Sequence, residues 1–456
     1  MSIEAILEKI DADQPAALER LFELLRIQSV STDPAYADHC VAAADWLVND
    51  LKSLGFEAER RDTPGHPMVV AHGGEGGPHF LFYGHYDVQP VDPLNLWDSP
   101  PFEPVLKDTP NGKVISARGA NDDKGQLMTF LEALRAWVAV NGKLPCRLTI
   151  FLEGEEETGS PSLVPFMKEN AEELTADLAM ICDTAMWDRE TPAISTMLRG
   201  MVGVQVTVHA ADRDLHSGMY GGAAINPIRV LNRILSDMHD DDGRVTLDGF
   251  YDGVHDIPDE VKAQWDGLNF STEDFLGEVG LSVPAGETGY TALEQTWARP
   301  TAEVNGIWGG YTGEGFKTVL PAEAHAKVTF RLVGDQDPDA VVAAFKAHVE
   351  ASLPADCSAS FVEKNGAKAT VLPVDATEFT KAHAALSDEW PKPAVFAGCG
   401  GSIPIAGLFH EILGMDSLMI GFGQSDDALH SPNEKYDLAS FHKGARSWAR
   451  VLAALT

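Results

Sequence analysis

Three apolar runs in this chain each lead into a short cluster of acids or histidine, and that pairing restricts the fold more than any other feature. Phe80-Leu81-Phe82-Tyr83 runs into Gly84-His85-Tyr86-Asp87, Arg147-Leu148-Thr149-Ile150-Phe151-Leu152 leads to Glu155-Glu156-Glu157, and Leu178-Ala179-Met180-Ile181-Cys182 ends on Asp183. A strand that is apolar throughout is covered on both faces, as strands of a parallel sheet packed between helices are. Helical spacing over 3–27 (Ile6, Ile10, Leu18, Leu21, Leu24, Leu25), over 38–54 up to Gly55, and over 125–140 supplies the covering layers. Strands alternating with helices predict an α/β architecture: a mixed, largely parallel sheet with helices on both faces. Polar clusters at the ends of such strands are where α/β proteins place their chemistry.

The pattern changes after Arg199-Gly200. Val202, Val204, Val206 and Val208 alternate with smaller or polar residues, and 326–333 alternates again, as in a sheet with one wet face. Helices are predicted over 227–238 and over 338–353, the latter with Pro338 at its start. These elements predict a smaller α+β domain inserted into the first. The α/β pattern resumes near Val374 and runs to a last helix over 438–455. The expected division is therefore 1–198 and 374–456 for the main domain, with 199–373 as the insertion. The stretch 240–315, rich in Gly, Asp and Trp, has no clear period and receives no assignment.

At 456 residues the chain is too long for one ordinary core, so two domains are expected on size alone. Lys and Arg number 34 against 69 Asp and Glu, a net charge of −35. So acidic a surface repels nucleic-acid phosphate and anionic membrane, and neither is an expected partner. Cys40, Cys146, Cys182, Cys357 and Cys399 are odd in number and contain no C-x-x-C, which argues against a disulfide framework or a zinc–thiolate site. With no basic-then-apolar leader and no run of about 18 apolar residues, a cytoplasmic protein is expected.

His85, Asp122, Glu157, Asp183 and His430 together supply the oxygen and imidazole donors that two divalent ions need, with one side chain shared. Taken singly each has a plainer explanation. His85-x-Asp87 can be a surface polar pair, Asp122-Asp123 an acidic helix start, the three glutamates a solvated loop, and Asp183 or His430 a cap. As a set they are charge-matched: three carboxylates against two divalent ions leave one positive charge, which a hydroxide would cancel. A carboxylate bridges two ions readily, and Asp122 is the candidate. Adjacent glutamates can divide two duties, one on an ion and one poised to take a proton. Asp87, two residues from His85, could hold its second ring nitrogen.

These motifs resemble those of the M20 metallopeptidases, and within them the carnosinase-like cytosolic dipeptidases. The resemblance extends over nearly the whole chain. It rests on Gly84-His85-Tyr86-Asp87-Val88-Gln89-Pro90, Arg118-Gly119-Ala120-Asn121-Asp122-Asp123-Lys124-Gly125, Glu153-Gly154-Glu155-Glu156-Glu157-Thr158-Gly159-Ser160, Asp214-Leu215-His216-Ser217-Gly218, Lys317-Thr318-Val319-Leu320-Pro321, Gly400-Gly401-Ser402-Ile403-Pro404 and His430-Ser431-Pro432-Asn433-Glu434. It implies one metal on His85, Asp122 and Asp183, and another on Asp122, Glu157 and His430. Zinc is the foremost ion, with manganese or cobalt also suited. It implies Glu156 as general base, Asp87 holding His85, and a cis peptide after Asp122. The insertion would be a ferredoxin-like lid that also dimerises, with His216 crossing to the partner subunit's site to stabilise an oxyanion. Thr318, Arg331 and Ser402 would bind a small peptide, Arg331 at its free carboxylate.

The implied reaction is hydrolysis of a peptide bond in dipeptides or short peptides. One rival is an N-acyl amino acid deacylase on the same scaffold; members of that kind often carry Glu where this chain has Asp183. Another is a binding protein without catalysis, which would be expected to lose Glu156 or a ligand. Two departures stand out. Gly398 and Cys399 occupy places where carnosinase-like members often carry a charged pair, which bears on substrate preference. Asn121 stands where a small or hydroxyl residue is common, and no ligand role falls on it.

Overall fold

The computed structural model describes residues 3–277, 279–400 and 404–456, with the side chains of Asn365 and Pro404 left undescribed. The chain forms two compact units. The first comprises Met1–Thr196, Leu372–Ala397 and Leu408–Thr456, and the second Met197–Val371 with Gly398–Gly407.

At the centre of the first unit lies the strand His79–His85. It pairs in parallel with Arg147–Glu153 on one side and Leu178–Ile181 on the other, and Leu178–Ile181 pairs in parallel with Ser417–Gly421. The sheet turns antiparallel outward, through Met68–Gly73 and Glu57–Arg61 at one side and Ala193–Leu198 at the other. Successive aromatic residues show why the central strand is apolar throughout. Phe82 stacks on Phe130 of the helix Lys124–Asn141, with ring centroids 3.9 Å apart, and meets Trp448 of the helix Leu438–Leu455 edge-on. Its neighbour Tyr83 points the other way, edge-on to Phe409. Both faces are covered, as a parallel sheet requires.

The helix Ile3–Leu25 packs its Ile6, Ile10, Leu21, Leu24 and Leu25 stripe inward. Buried Lys124 donates its ammonium to Leu24 O at the end of this helix, at 3.2 Å, and to Ile27 O just beyond it, at 2.7 Å. Both carbonyls also accept backbone N–H groups, Leu24 O from Ile27 at 3.2 Å and Ile27 O from Ser29 at 2.9 Å. The Lys124 bond to Leu24 O joins the N-terminal helix to the start of the helix that follows Asp122.

In the second unit a four-stranded antiparallel sheet runs in the order Thr301–Gly309, Glu323–Leu332, Gly200–His209, Ser358–Ala367. With helices Pro227–Ser236 and Pro338–Ser352 between its strands, the chain order is strand–helix–strand–strand–helix–strand, the ferredoxin-like arrangement. Val202, Val204, Val206, Val208, Ala326, Val328 and Phe330 share one buried face with Leu231, Ile234, Val341 and Phe345 from the helices. Both helices begin on a capping side chain followed by proline: Asn226 accepts the Ile228 N–H and Asp337 the Asp339 N–H.

The stretch 240–315 has no amphipathic period because polar contacts organise much of it. Buried Arg299 makes two bonds to Glu287, at 2.7 and 3.0 Å, and lies over the rings of Tyr251 and Tyr290. Thr291 and Glu294 form a capping box on the short helix Ala292–Trp297. Among the described residues no helix is long and apolar enough to cross a membrane.

Packing of the central strand against Phe130 is expected to dominate the first unit's stability. Phe130→Ala should cost about 3–5 kcal/mol, read as an earlier urea midpoint with the helix content of the folded state retained.

Candidate metal centre

Because the central strands are parallel, their carboxyl ends lie at one edge of the sheet, and the polar clusters that follow them converge there. His85 is the last residue of its strand and is fully buried. Gly84 before it admits a close approach, since a Cβ there would meet Asp123 Oδ2 at 2.8 Å. That same oxygen accepts the His85 N–H at 3.1 Å. Asp123 is the residue preceding the helix Lys124–Asn141, and its side chain makes no capping bond. It ties the helix start to the strand end instead. The Asp122–Asp123 peptide is cis.

The His85 ring is oriented from behind. Its Nδ1 lies 3.2 Å from Asp87 O and 3.3 Å from Asp87 Oδ1, which makes Nδ1 the protonated nitrogen and leaves Nε2 as the donor to an ion. Asp87 is itself held. Its carboxylate accepts the Ser31 hydroxyl at 2.6 Å and the backbone N–H groups of Glu157 and Glu156 at 3.0 and 3.3 Å. One buried carboxylate therefore fixes both His85 and the turn carrying the glutamates.

Asp122 sits between the two histidines. Its Oδ1 is 3.1 Å from His85 Nε2 and its Oδ2 is 3.0 Å from His430 Nε2. His430 Nε2 is also 3.3 Å from Glu157 Oε2, and His85 Nε2 is 3.8 Å from Asp183 Oδ2. The donors form two triads, His85–Asp122–Asp183 and Asp122–Glu157–His430, within each of which the ligand atoms lie within 4.8 Å of one another. Atoms bound at about 2.0–2.2 Å to a tetrahedral ion stand roughly 3.3–3.6 Å apart. The observed separations bracket that range, and the donor set is the oxygen-plus-imidazole kind that zinc, manganese and cobalt accept.

The electrostatics carry the same message. Burial, with Asp122 close by, pushes Asp183 up to about 7 and Glu157 up to about 8. Burial and the neighbouring Asp122 and Asp87 also raise Glu156, against the opposing pull of His85 and His430. Asp122 itself is held below the ordinary carboxylate range, because hydrogen bonds from His430 and His85 outweigh its burial. Several acids crowd a buried space in which one of them already claims both imidazoles. Divalent cations would relieve that crowding.

Glu156 lies outside both triads, whereas Glu157 Oε2 faces His430 and also accepts the Gln89 amide at 2.7 Å. His216, Thr318 and Arg331 belong to the second unit. There His216 is exposed and pairs across a two-residue ladder with Val319, and the Ser217 N–H donates to Thr318 O at 3.0 Å. Arg331 lies on the strand Glu323–Leu332, opposite Met201. Ser402 falls outside the described residues. Sequence reasoning gave no role to Ser31, Gln89, Arg118, Asp427 or Glu434. Gln89, Arg118 and Glu434 lie inside the motifs that carry the family resemblance, and that position is the one signal the sequence offers for them.

Comparison with known proteins adds to this geometry. The model of the family described as "Peptidase family M20/M25/M40" matches residues 81–454. The Cys-Gly metallodipeptidase dug1 of Schizosaccharomyces pombe is 30% identical over 463 residues, covering 98% of this chain and 97% of that protein. The crystal structure of human carnosine dipeptidase 1 superposes with a TM-score of 0.80 at 25% identity, covering 100% of this chain and 99% of that one. An M20 family metallo-carboxypeptidase from Sulfolobus solfataricus superposes with a TM-score of 0.81 at 29% identity, covering 96% and 99%.

Proton competition at the centre gives a testable sign. Glu157 and Asp183, raised to about 8 and about 7, and His85 and His430, both raised by Asp122, must lose protons before an ion can bind. Zinc affinity, measured by chelator competition, is expected to be weaker at about pH 6 than at about pH 8, with protons released on binding. Affinity that does not change with pH would contradict this.

Proposed function

Since the chain belongs to peptidase family M20/M25/M40 and is a metal-dependent hydrolase, we propose that it cleaves the peptide bond of dipeptides at a dinuclear centre built around Asp122. The observation that carries this reading is the division of the Asp122 carboxylate, one oxygen toward His85 and the other toward His430. His85, Asp122 and Asp183 would hold one ion and Asp122, Glu157 and His430 the other. Two divalent ions there, zinc foremost and manganese or cobalt also suited, would polarise the scissile carbonyl and lower the pKa of a water molecule toward about 7.

The remaining work falls to side chains. Glu156 takes the proton from the attacking water and returns it to the leaving amine. Burial raises its affinity for a proton, as a group that must take one up requires, and its place outside both triads leaves it available. Asp87 keeps His85 in one tautomer and keeps the Glu156–Glu157 turn in place. Arg331 and Thr318, with Ser402, bind the substrate, the guanidinium at the free carboxylate.

The working form in this reading is a homodimer in which His216 reaches the partner subunit's site and stabilises the oxyanion. The strand Thr301–Gly309 supports it: among the described residues it ends its sheet, and an edge carrying exposed Val304, Ile307 and Trp308 is suited to a second copy. A reducing, cytoplasmic setting fits the five cysteines, all of them free thiols. The likeness to a metallo-carboxypeptidase favours a second reading, removal of C-terminal residues from longer peptides, which would use the same carboxylate recognition. A panel of dipeptides, longer peptides and N-acyl amino acids, assayed with zinc and with manganese, separates these readings and the deacylase alternative.

Two variants distinguish the glutamates. Glu156→Gln is expected to keep both ions while turnover falls by ~10² or more. Glu157→Gln is expected to lose or weaken one ion. Metal analysis showing the opposite pattern would exchange their roles.

A mixing experiment tests the dimer. His216→Ala should cut turnover and leave metal content intact. Mixed with Glu156→Gln under conditions of subunit exchange, it should regain part of the activity. One site of the mixed dimer would combine an intact Glu156 with an intact His216 from the partner subunit. No recovery despite demonstrated exchange would place His216 within its own subunit's chemistry or outside catalysis.

A further inference from the structure

We propose that Glu434 is a positioning residue for the metal centre, holding the loop that delivers Asp122 and the loop that delivers His430 in one rigid frame. The inference rests on the reading of this site as a metal centre.

Glu434 and Arg118 are both buried, with side chains 0% and 1% exposed. Arg118 donates to Glu434 Oε2 at 2.8 Å, and the Gly119 N–H reaches the same oxygen at 2.8 Å. The other oxygen accepts the N–H groups of Asn121 and Asp122, at 3.0 and 3.1 Å. The four donors all come from residues 118–122, and the last belongs to Asp122 itself. Arg118 is tethered in turn, donating to Pro90 O at 3.0 Å and lying over the Trp97 ring.

Four residues before Glu434 is His430. Between Asp427 and Glu434 three non-glycine residues adopt left-handed backbone: Ala428, His430 and Asn433, with φ of 56°, 58° and 67°. Such conformations persist where their surroundings hold them. The near end of the segment is held by Asp427, which accepts the Asn121 amide at 2.7 Å, the Gln424 N–H at 2.7 Å and the Lys435 ammonium at 2.6 Å. Both ends of the His430 loop are therefore fastened to the Asn121–Asp122 segment, about three hundred residues away in sequence. The 3.0 Å separation of His430 Nε2 and Asp122 Oδ2 follows from this frame.

A buried ion pair is not by itself a stabilising device, because desolvation cancels much of the attraction. The Glu434 carboxylate satisfies three backbone N–H groups of the loop that bears the shared ligand, which is the role of an outer partner that orients metal ligands.

Zinc affinity of folded protein, measured by chelator competition with folding checked by circular dichroism, tests this. Glu434→Gln keeps the size but replaces one acceptor oxygen with an amino group facing N–H donors. A loss of about 10–100-fold in affinity is expected, as for other partners that orient ligands. The comparison is Glu287→Gln, which disrupts the buried Glu287–Arg299 pair of the second unit. It should lower thermal stability and leave zinc affinity at the wild-type value. Glu434→Gln binding zinc as tightly as wild type, with only thermal stability reduced, would overturn the proposal. Should Glu434→Gln fail to fold, Asp427→Asn loosens the other end of the frame: weakened zinc supports the proposal and unchanged zinc overturns it. Wild-type protein that binds no zinc, manganese or cobalt would instead defeat the reading of the site as a metal centre, and this inference with it.

Discussion

The division of one carboxylate between two imidazoles is the interaction on which the rest of this protein depends. Asp122 reaches His85 with one oxygen and His430 with the other. Those two histidines lie at opposite ends of the first unit's chain, with the whole second unit inserted between them. Bringing them to one carboxylate requires segments from both parts of that chain to meet within the first unit. The edge formed by His79–His85, Arg147–Glu153 and Leu178–Ile181 supplies the floor, and the C-terminal segment supplies the missing histidine. Burying so many acids together is unfavourable, and the upward displacement of Asp183 and Glu157 is the sign of that cost. The fold holds the acids in place by a shell of buried donors around them, and cations complete the arrangement.

That shell distributes its duties clearly. Asp87 fixes His85 and the glutamate turn, with the Ser31 hydroxyl behind it. Glu434 and Asp427 fix the Asp122 and His430 loops. Lys124, immediately after the cis peptide segment, fastens the helix start to the carbonyls near the end of the N-terminal helix. The ligand side chains are thus tied down by buried hydrogen bonds, and Glu156 lies outside both ligand triads. This is the division a hydrolase needs: groups that bind held still, and one group available to carry a proton.

Much of the site was legible in the sequence because the geometry of a parallel sheet is simple. An apolar strand buried on both faces delivers whatever follows it to one edge, so His85, Glu156–Glu157 and Asp183 could be placed by their strands alone. Alternation of valines with polar residues likewise gave the second unit's one-sided sheet, and the ferredoxin-like order appeared as the resemblance implied. Beyond Asp87, the shell was not legible. Ser31, Asp427 and Glu434 act through burial and through bonds spanning dozens to hundreds of residues, and neither is written in local pattern. Residues 240–315 resisted assignment for a related reason: Arg299, Glu287, Tyr251 and Tyr290 hold that region by polar and cation–π contacts, which leave no period. Asn121, for which the sequence indicates no ligand role, donates its amide to Asp427.

The most direct measurement is anomalous diffraction at the zinc edge from crystals of zinc-loaded protein. Two anomalous peaks about 3.5–4 Å apart are expected, one between His85 and Asp183, the other between His430 and Glu157, with the Asp122 carboxylate touching both. A single peak, or zinc bound away from Asp122, would contradict the dinuclear centre.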